Sequence, residues 1–137
     1  MKIYFAASIT GGRDFADIYV DIVMELRKYG EVLTEHIVDT ALDDRGNQVS
    51  KSAEEIFLQD RAWIDEADVV VAEVTQPSLG VGWELGYAQS IGKKVICLFN
   101  LSSGRTFSAM IKGNEYFDCP EYSELKEIQN FLNMRML

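Results

Sequence analysis

Asp68–Val74 reads DVVVAEV and Lys94–Phe99 reads KVICLF. A strand with one face in water alternates apolar and polar residues. These two runs do not, so each is expected to be covered on both sides. Lys2–Ala7 (KIYFAA) has the same character. Between these runs the pattern turns helical. Phe15, Ile18, Tyr19, Ile22, Leu26 and Tyr29 share one face of a helix predicted over 14–29, and Gly30 is its stop. Val32–His36 reads as a short strand, and 39–51 as a polar loop. Ser52 and Glu55 form a capping box that opens a helix to about Ala67. A helix follows over about 81–91, a short one around 108–111, a strand at Glu115–Cys119, and a terminal helix over 121–134 with Leu125, Ile128, Phe131 and Leu132 inward.

Strand and helix thus alternate along the whole chain. That order implies an α/β fold, a doubly wound, flavodoxin-like sheet of five parallel strands with helices on both faces. In such sheets a ligand sits beyond the carboxyl ends of the strands, near the point where strand order reverses. The rule selects the loops 7–13, 36–51 and 75–82. At 137 residues the chain suits one domain, residues 1–137, with no internal repeat.

A formal net charge of −9, with Lys93-Lys94 as the longest basic cluster, argues against a nucleic-acid partner. A small anion remains acceptable, because salt screens the global field within about 8–10 Å. No apolar run reaches the ~20 residues of a membrane helix. The first strand begins at once, so no signal peptide is expected. Cys97 and Cys119 lie outside any metal-binding spacing and read as reduced thiols of a cytoplasmic protein, or a nuclear one in a eukaryote. Neither a metal nor a cofactor is expected.

Two carboxylates stand out. On the helix 52–67 the apolar stripe is Ala53, Ile56, Phe57, Trp63, Ile64 and Ala67, and Asp60 falls in its middle. Such an Asp either hydrogen-bonds a loop backbone or works in a site. Glu84, in GVGWELG at 80–86, is expected in the first turn of its helix, where the dipole favours the ionised form. That suits a nucleophile or a general base; a helix-start Glu serving only the dipole is the alternative. Gly80, Gly82 and Gly86 are expected to let a ligand or the adjacent strand approach closely. One buried and one ionised carboxylate together suit cleavage of a glycosidic bond. Ser8, Thr10, Gly11, Gly12 and Arg13 precede a helix and form either a phosphate seat or an ordinary turn. Ser78 adds a hydroxyl. A P-loop is absent, and GVGWELG puts its third glycine one place too late for a dinucleotide fingerprint.

YFAASITGGR at 4–13, LTEH at 33–36, the block 59–86, CLF at 97–99 and SGRTFSAMIKG at 104–113 closely resemble the 2′-deoxynucleoside 5′-phosphate N-hydrolases of the nucleoside 2-deoxyribosyltransferase superfamily. The resemblance spans nearly the whole chain. It implies a five-stranded parallel sheet and cleavage of a deoxynucleoside 5′-monophosphate into free base and 2-deoxyribose 5-phosphate. It also implies Glu84 as the nucleophile that forms a glycosyl-enzyme, Asp60 as the group that positions the sugar or handles protons, and Tyr4 beside the nucleophile. Ser8, Ser78 and Ser108 become phosphate ligands, with Ser108 reaching the neighbouring subunit's site in a homodimer. Ile9, Thr10, Gly11, Gly12, Arg13, Gly80 and Met110 join the substrate-binding set. His36 maps to the base-facing region, or is a packed loop residue.

The related transferases, which take unphosphorylated nucleosides, typically carry Asp six residues before the nucleophile, and an Asp there would repel a phosphate. Ser78 therefore points to a monophosphate. Thr10 stands where animal members often have Arg, Ala7 where they have Gly, and Trp83 where Tyr is usual. A base-exchanging transferase and a non-catalytic nucleotide-binding module are the alternative functions.

Overall fold

The computed structural model describes residues 1–8, 16–34 and 51–136. The elements in chain order are β1 (Lys2–Ala7), α1 (Ala16–Leu26), β2 (Glu31–Val32), α2 (Ala53–Glu66), β3 (Val69–Glu73), α3 (Leu79–Ser90), β4 (Lys94–Asn100), a 3₁₀ turn (Leu101–Ser103), α4 (Ala109–Lys112), β5 (Glu121–Tyr122) and α5 (Leu125–Arg135). The five strands form one parallel sheet in the order β2-β1-β3-β4-β5. The chain moves outward from β1 to β2, then returns to place β3 on the other side of β1. The carboxyl ends of β1 and β3, Ala7 and Glu73, therefore lie side by side, as the doubly wound reading requires.

The sheet is covered on both faces because its central strands are apolar on both. Ile3, Phe5, Val69, Val71, Ile96 and Leu98 pack beneath α1 and α5, whereas Tyr4, Ala6, Val70, Ala72, Val95 and Cys97 pack with Ile64 of α2 and Leu85 of α3. Ser52 caps α2 by accepting from Glu55 N at 3.1 Å. On α5, Ile128 and Leu132 are buried, with Leu125 and Phe131 packed partly against the core. Among the described residues, no helix is long and apolar enough to cross a membrane.

Several boundaries differ from expectation, among them the end of α1 at Leu26 and the start of α3 at Leu79. The second strand is only Glu31–Val32, and the hydroxyl of Thr34 then bonds both the N–H and the carbonyl of Phe5 in place of a further backbone rung. The fifth strand is not Glu115–Cys119. Asn114–Phe117 closes a turn, Asp118 makes one isolated bridge with Ile96, and the paired strand is Glu121–Tyr122. The terminal helix consequently starts at Leu125, where Glu124 and Glu127 form a reciprocal capping box.

Candidate active site

Tyr4 sits in the middle of β1, fully buried on the face covered by α2 and α3. Its hydroxyl donates to Oε2 of Glu84 on α3. Asp60 projects from α2 into the same cavity, about 380 Å³, which Ala53, Ile56, Phe57, Gly80 and Trp83 complete. The fold thus brings together the three residues expected to be catalytic, which are distant in sequence.

The stripe containing Asp60 does not lie wholly against the sheet. Ile64 and Ala67 are buried, but Phe57 is 43% exposed and Ala53 is open. The N-terminal half of α2 faces the cavity, which is why an acid can sit among apolar neighbours. Phe57 meets Trp83 edge-on at 5.1 Å, and Trp83 stacks on Tyr87 at 5.1 Å and 10°. This aromatic wall beside the carboxylates was not singled out from the sequence, because Phe57 reads there as core.

Burial sets the proton affinity of both acids. It pushes Asp60 up to about 6, against a nearby Lys51 that pulls the other way. It pushes Glu84 up to about 8. The expectation of an ionised Glu84 favoured by the helix dipole is therefore corrected. The helix opens at Leu79, with Ser78 as its cap, so Glu84 lies in the second turn, where the dipole has faded and desolvation wins.

Because the folded-state value lies above the ordinary carboxylate range, folding favours the protonated acid, and stability falls as pH rises from 4.5 through about 8. Glu84→Gln is expected to raise unfolding stability at pH 8 by on the order of 1–3 kcal/mol, measured by denaturant titration, with little gain near pH 4. If ionised Glu84 attacks, kcat/KM rises with pH up to about 8. Tyr4→Phe removes a donor to the carboxylate and moves that limb upward by about one pH unit. Asp60→Asn should abolish an inflection near 6 and leave the one near 8.

On the opposite side of the α3 N-terminus lies a second cavity of about 380 Å³, whose lining includes Thr75, Ser78, Leu79, Gly82, Ser108 and Met110. At about 100° per residue, Val81, Gly82 and Leu85 face one way while Gly80, Trp83 and Glu84 face the other. Ser78 Oγ accepts from Val81 N at 3.3 Å, which leaves its own proton free to donate to a ligand. Ser78 and Ser108 are thus brought together, one helix face away from the carboxylates. Ser8 is buried at the end of β1. Ile9, Thr10, Gly11, Gly12, Arg13 and His36 lie outside the described residues.

The glycines do not admit the adjacent strand. A Cβ on Gly82 or Gly86 would meet nothing within 4 Å, and one on Gly80 only Ser78 Oγ at 3.9 Å. Gly80 and Gly82 instead keep the two cavities open. Thr75, and Glu73, which is 1% exposed, are not among the residues expected from the sequence. A signal existed: in DVVVAEV strand alternation puts Glu73 on the same covered face as Val69 and Val71.

A parallel doubly wound sheet with paired carboxylates and a hydroxyl-lined cleft at one helix start defines an α/β protein built to handle a small polar ligand at its carboxyl edge. Residues 3–118 match the family Nucleoside 2-deoxyribosyltransferase. The chain is 48% identical over 135 residues to 5-hydroxymethyl-dUMP N-hydrolase of Mus musculus, covering 96% of this chain and 78% of that protein. With the protein of the same name from Esox lucius it shares 47% over 137 residues, covering 96% and 93%. Among solved structures, the CMP N-glycosidase of Clostridium botulinum superposes with a TM-score of 0.67 at 20% identity, covering 98% of each chain, which shows a shared fold. The chain belongs to the nucleoside 2-deoxyribosyltransferase family.

Proposed function

We propose that this protein hydrolyses the N-glycosidic bond of 2′-deoxynucleoside 5′-monophosphates, releasing free base and 2-deoxyribose 5-phosphate. The observation that carries the reading is the Glu84 carboxyl group, bonded by Tyr4 and sharing a cavity with Asp60, one helix face away from Ser78 and Ser108. Close relatives named for hydrolysis of a deoxynucleoside monophosphate support it.

In the proposed reaction ionised Glu84 attacks C1′ on the face opposite the base. The C1′–N bond breaks, and its electron pair leaves with the base, which takes up a proton. Asp60, with its raised proton affinity, is placed to manage that proton or to hold the sugar. Water then attacks C1′ of the glycosyl-enzyme, the C1′–O bond to Glu84 breaks and restores the carboxylate, and the proton that the water loses replaces the one the base took up. The phosphate is assigned to Ser8, Ser78 and Ser108, with Ile9, Thr10, Gly11, Gly12, Arg13, Gly80, Met110 and His36 completing the substrate set.

The proposal includes a homodimer in which Ser108 serves the neighbouring site. Leu79, 97% exposed, and Met110, 83% exposed, lie on the serine cleft as apolar side chains suited to an interface. Sedimentation should give a dimer. The proposed compartment is the cytoplasm, where the free thiols Cys97 and Cys119 stay unbridged.

The deciding experiment incubates the protein with deoxy- and ribonucleoside monophosphates, 5-hydroxymethyl-dUMP among them, and with the matching nucleosides, following free base by chromatography. Free base from the deoxynucleoside monophosphates is expected. Base exchange between nucleosides without monophosphate hydrolysis would instead mark a transferase. Binding without turnover would mark a nucleotide-binding module.

A further inference from the structure

Glu73 ends β3 with its side chain almost fully buried, and no step of the proposed reaction uses it. Three donors converge on its carboxyl group. Thr75 N–H donates to Oε1 at 2.7 Å, the Thr75 hydroxyl donates to Oε2 at 2.9 Å, and the Tyr122 hydroxyl donates to Oε2 as well. Thr75 Oγ1 in turn accepts the backbone N–H of Asn100 at 2.9 Å, and Asn100 Oδ1 accepts that of Ser102 at 2.9 Å.

Val74 is tied to the sheet through its N–H to the Leu98 carbonyl at 2.9 Å, and after it the chain turns away toward Ser78. Asn100 ends β4, and the segment after it runs to Ser108, steadied by Phe107 stacked on Phe99 at 4.4 Å. Glu73 therefore grips the roots of both serine-bearing segments through one residue, Thr75, which itself lines the serine cleft. Burying a carboxyl group is costly, and an apolar side chain would fill the space more cheaply. What an apolar residue cannot do is hold the Thr75 backbone and hydroxyl in one orientation.

We infer that Glu73 is a positioning residue: through Thr75 and Asn100 it fixes the roots of the segments that carry Ser78 to its own site and Ser108 to the neighbouring one, and so sets recognition of the substrate's 5′-phosphate. The inference rests on the monophosphate reading given above.

The test compares wild type with Glu73→Gln and Tyr122→Phe in the full chain. Gln offers an NH₂ where donors already converge, so at least one bond to Thr75 or Tyr122 must be broken or reversed. For Glu73→Gln, KM for a deoxynucleoside monophosphate is expected to rise ~10-fold or more with kcat within about 3-fold, while kcat/KM on the unphosphorylated nucleoside stays within about 3-fold. Amide hydrogen exchange at Thr75 and Asn100 should quicken about 10-fold, with the centres of β1 and β3 unchanged. Tyr122→Phe leaves both Thr75 bonds and should keep the wild-type KM.

Equal losses on both substrates, or unchanged exchange and KM in Glu73→Gln, would overturn the inference. If Glu73→Gln does not fold, Thr75→Val carries the test. It keeps the shape and the N–H but cuts the link to Asn100, and an unchanged monophosphate KM would sink the idea. Failure of the monophosphate reading shows differently, as a wild-type protein with no preference for the phosphorylated substrate. The exchange data then decide the loop claim alone.

Discussion

Glu84→Gln is expected to reduce release of free base from deoxynucleoside monophosphates by roughly 10³-fold or more, as removal of a covalent nucleophile does elsewhere. The substitution is close to isosteric, and the Gln side-chain carbonyl can still accept from the Tyr4 hydroxyl that now bonds the carboxyl group. The loss would therefore report missing nucleophilicity and not a collapsed cavity. Two controls separate these causes. The variant should be more stable than wild type at pH 8, because burial makes the native carboxylate a liability there. It should also bind the monophosphate with a dissociation constant close to that of wild type, measured by calorimetry. Turnover at the wild-type rate in a Glu84→Ala or Glu84→Gln protein would show that another group attacks C1′.

Ser78→Asp should lower kcat/KM for monophosphates by about 100-fold or more, since two like charges brought together cost several kcal/mol. The helix should survive the change. Ser78 caps α3 by accepting from Val81 N, and Asp is an equally good cap. Activity on the unphosphorylated nucleoside should be unchanged or improved, because a carboxylate can accept from a 5′-hydroxyl. A discrimination ratio that stays at the wild-type value would remove Ser78 from the phosphate seat. The measurement is a pair of Michaelis curves, with circular dichroism to confirm that α3 is intact.

Much of the fold was legible because continuous apolar runs admit few solutions. DVVVAEV and KVICLF had to be covered strands, and the helices between them had to cross over. The edge strands were harder to place. β2 and β5 are two residues each, and at the edge a side chain can replace a backbone rung, as Thr34 does for Phe5. The start of α5 depends on Glu124 and Glu127 capping each other, a choice that Tyr122 allows by burying itself in the sheet first.

The candidate site was legible in the same uneven way. Asp60 announced itself by lying on an apolar stripe, yet that stripe proved to line a cavity as much as a core. Glu84 was marked by its glycine-rich surroundings and by the resemblance, and the sequence by itself determined that Tyr4 lies on a covered strand and that Asp60 and Glu84 lie on helices that cross over to the next strands of a parallel sheet. Only the tertiary structure decided their protonation, since proton affinity depends on how much water reaches each acid, and burial overrode the helix dipole expected for Glu84. It also decided that the serines and the carboxylates line separate cavities on either side of α3, and that Glu73 grips Thr75. Those are facts of three-dimensional proximity between residues far apart in the chain, and no spacing along a single strand or helix encodes them.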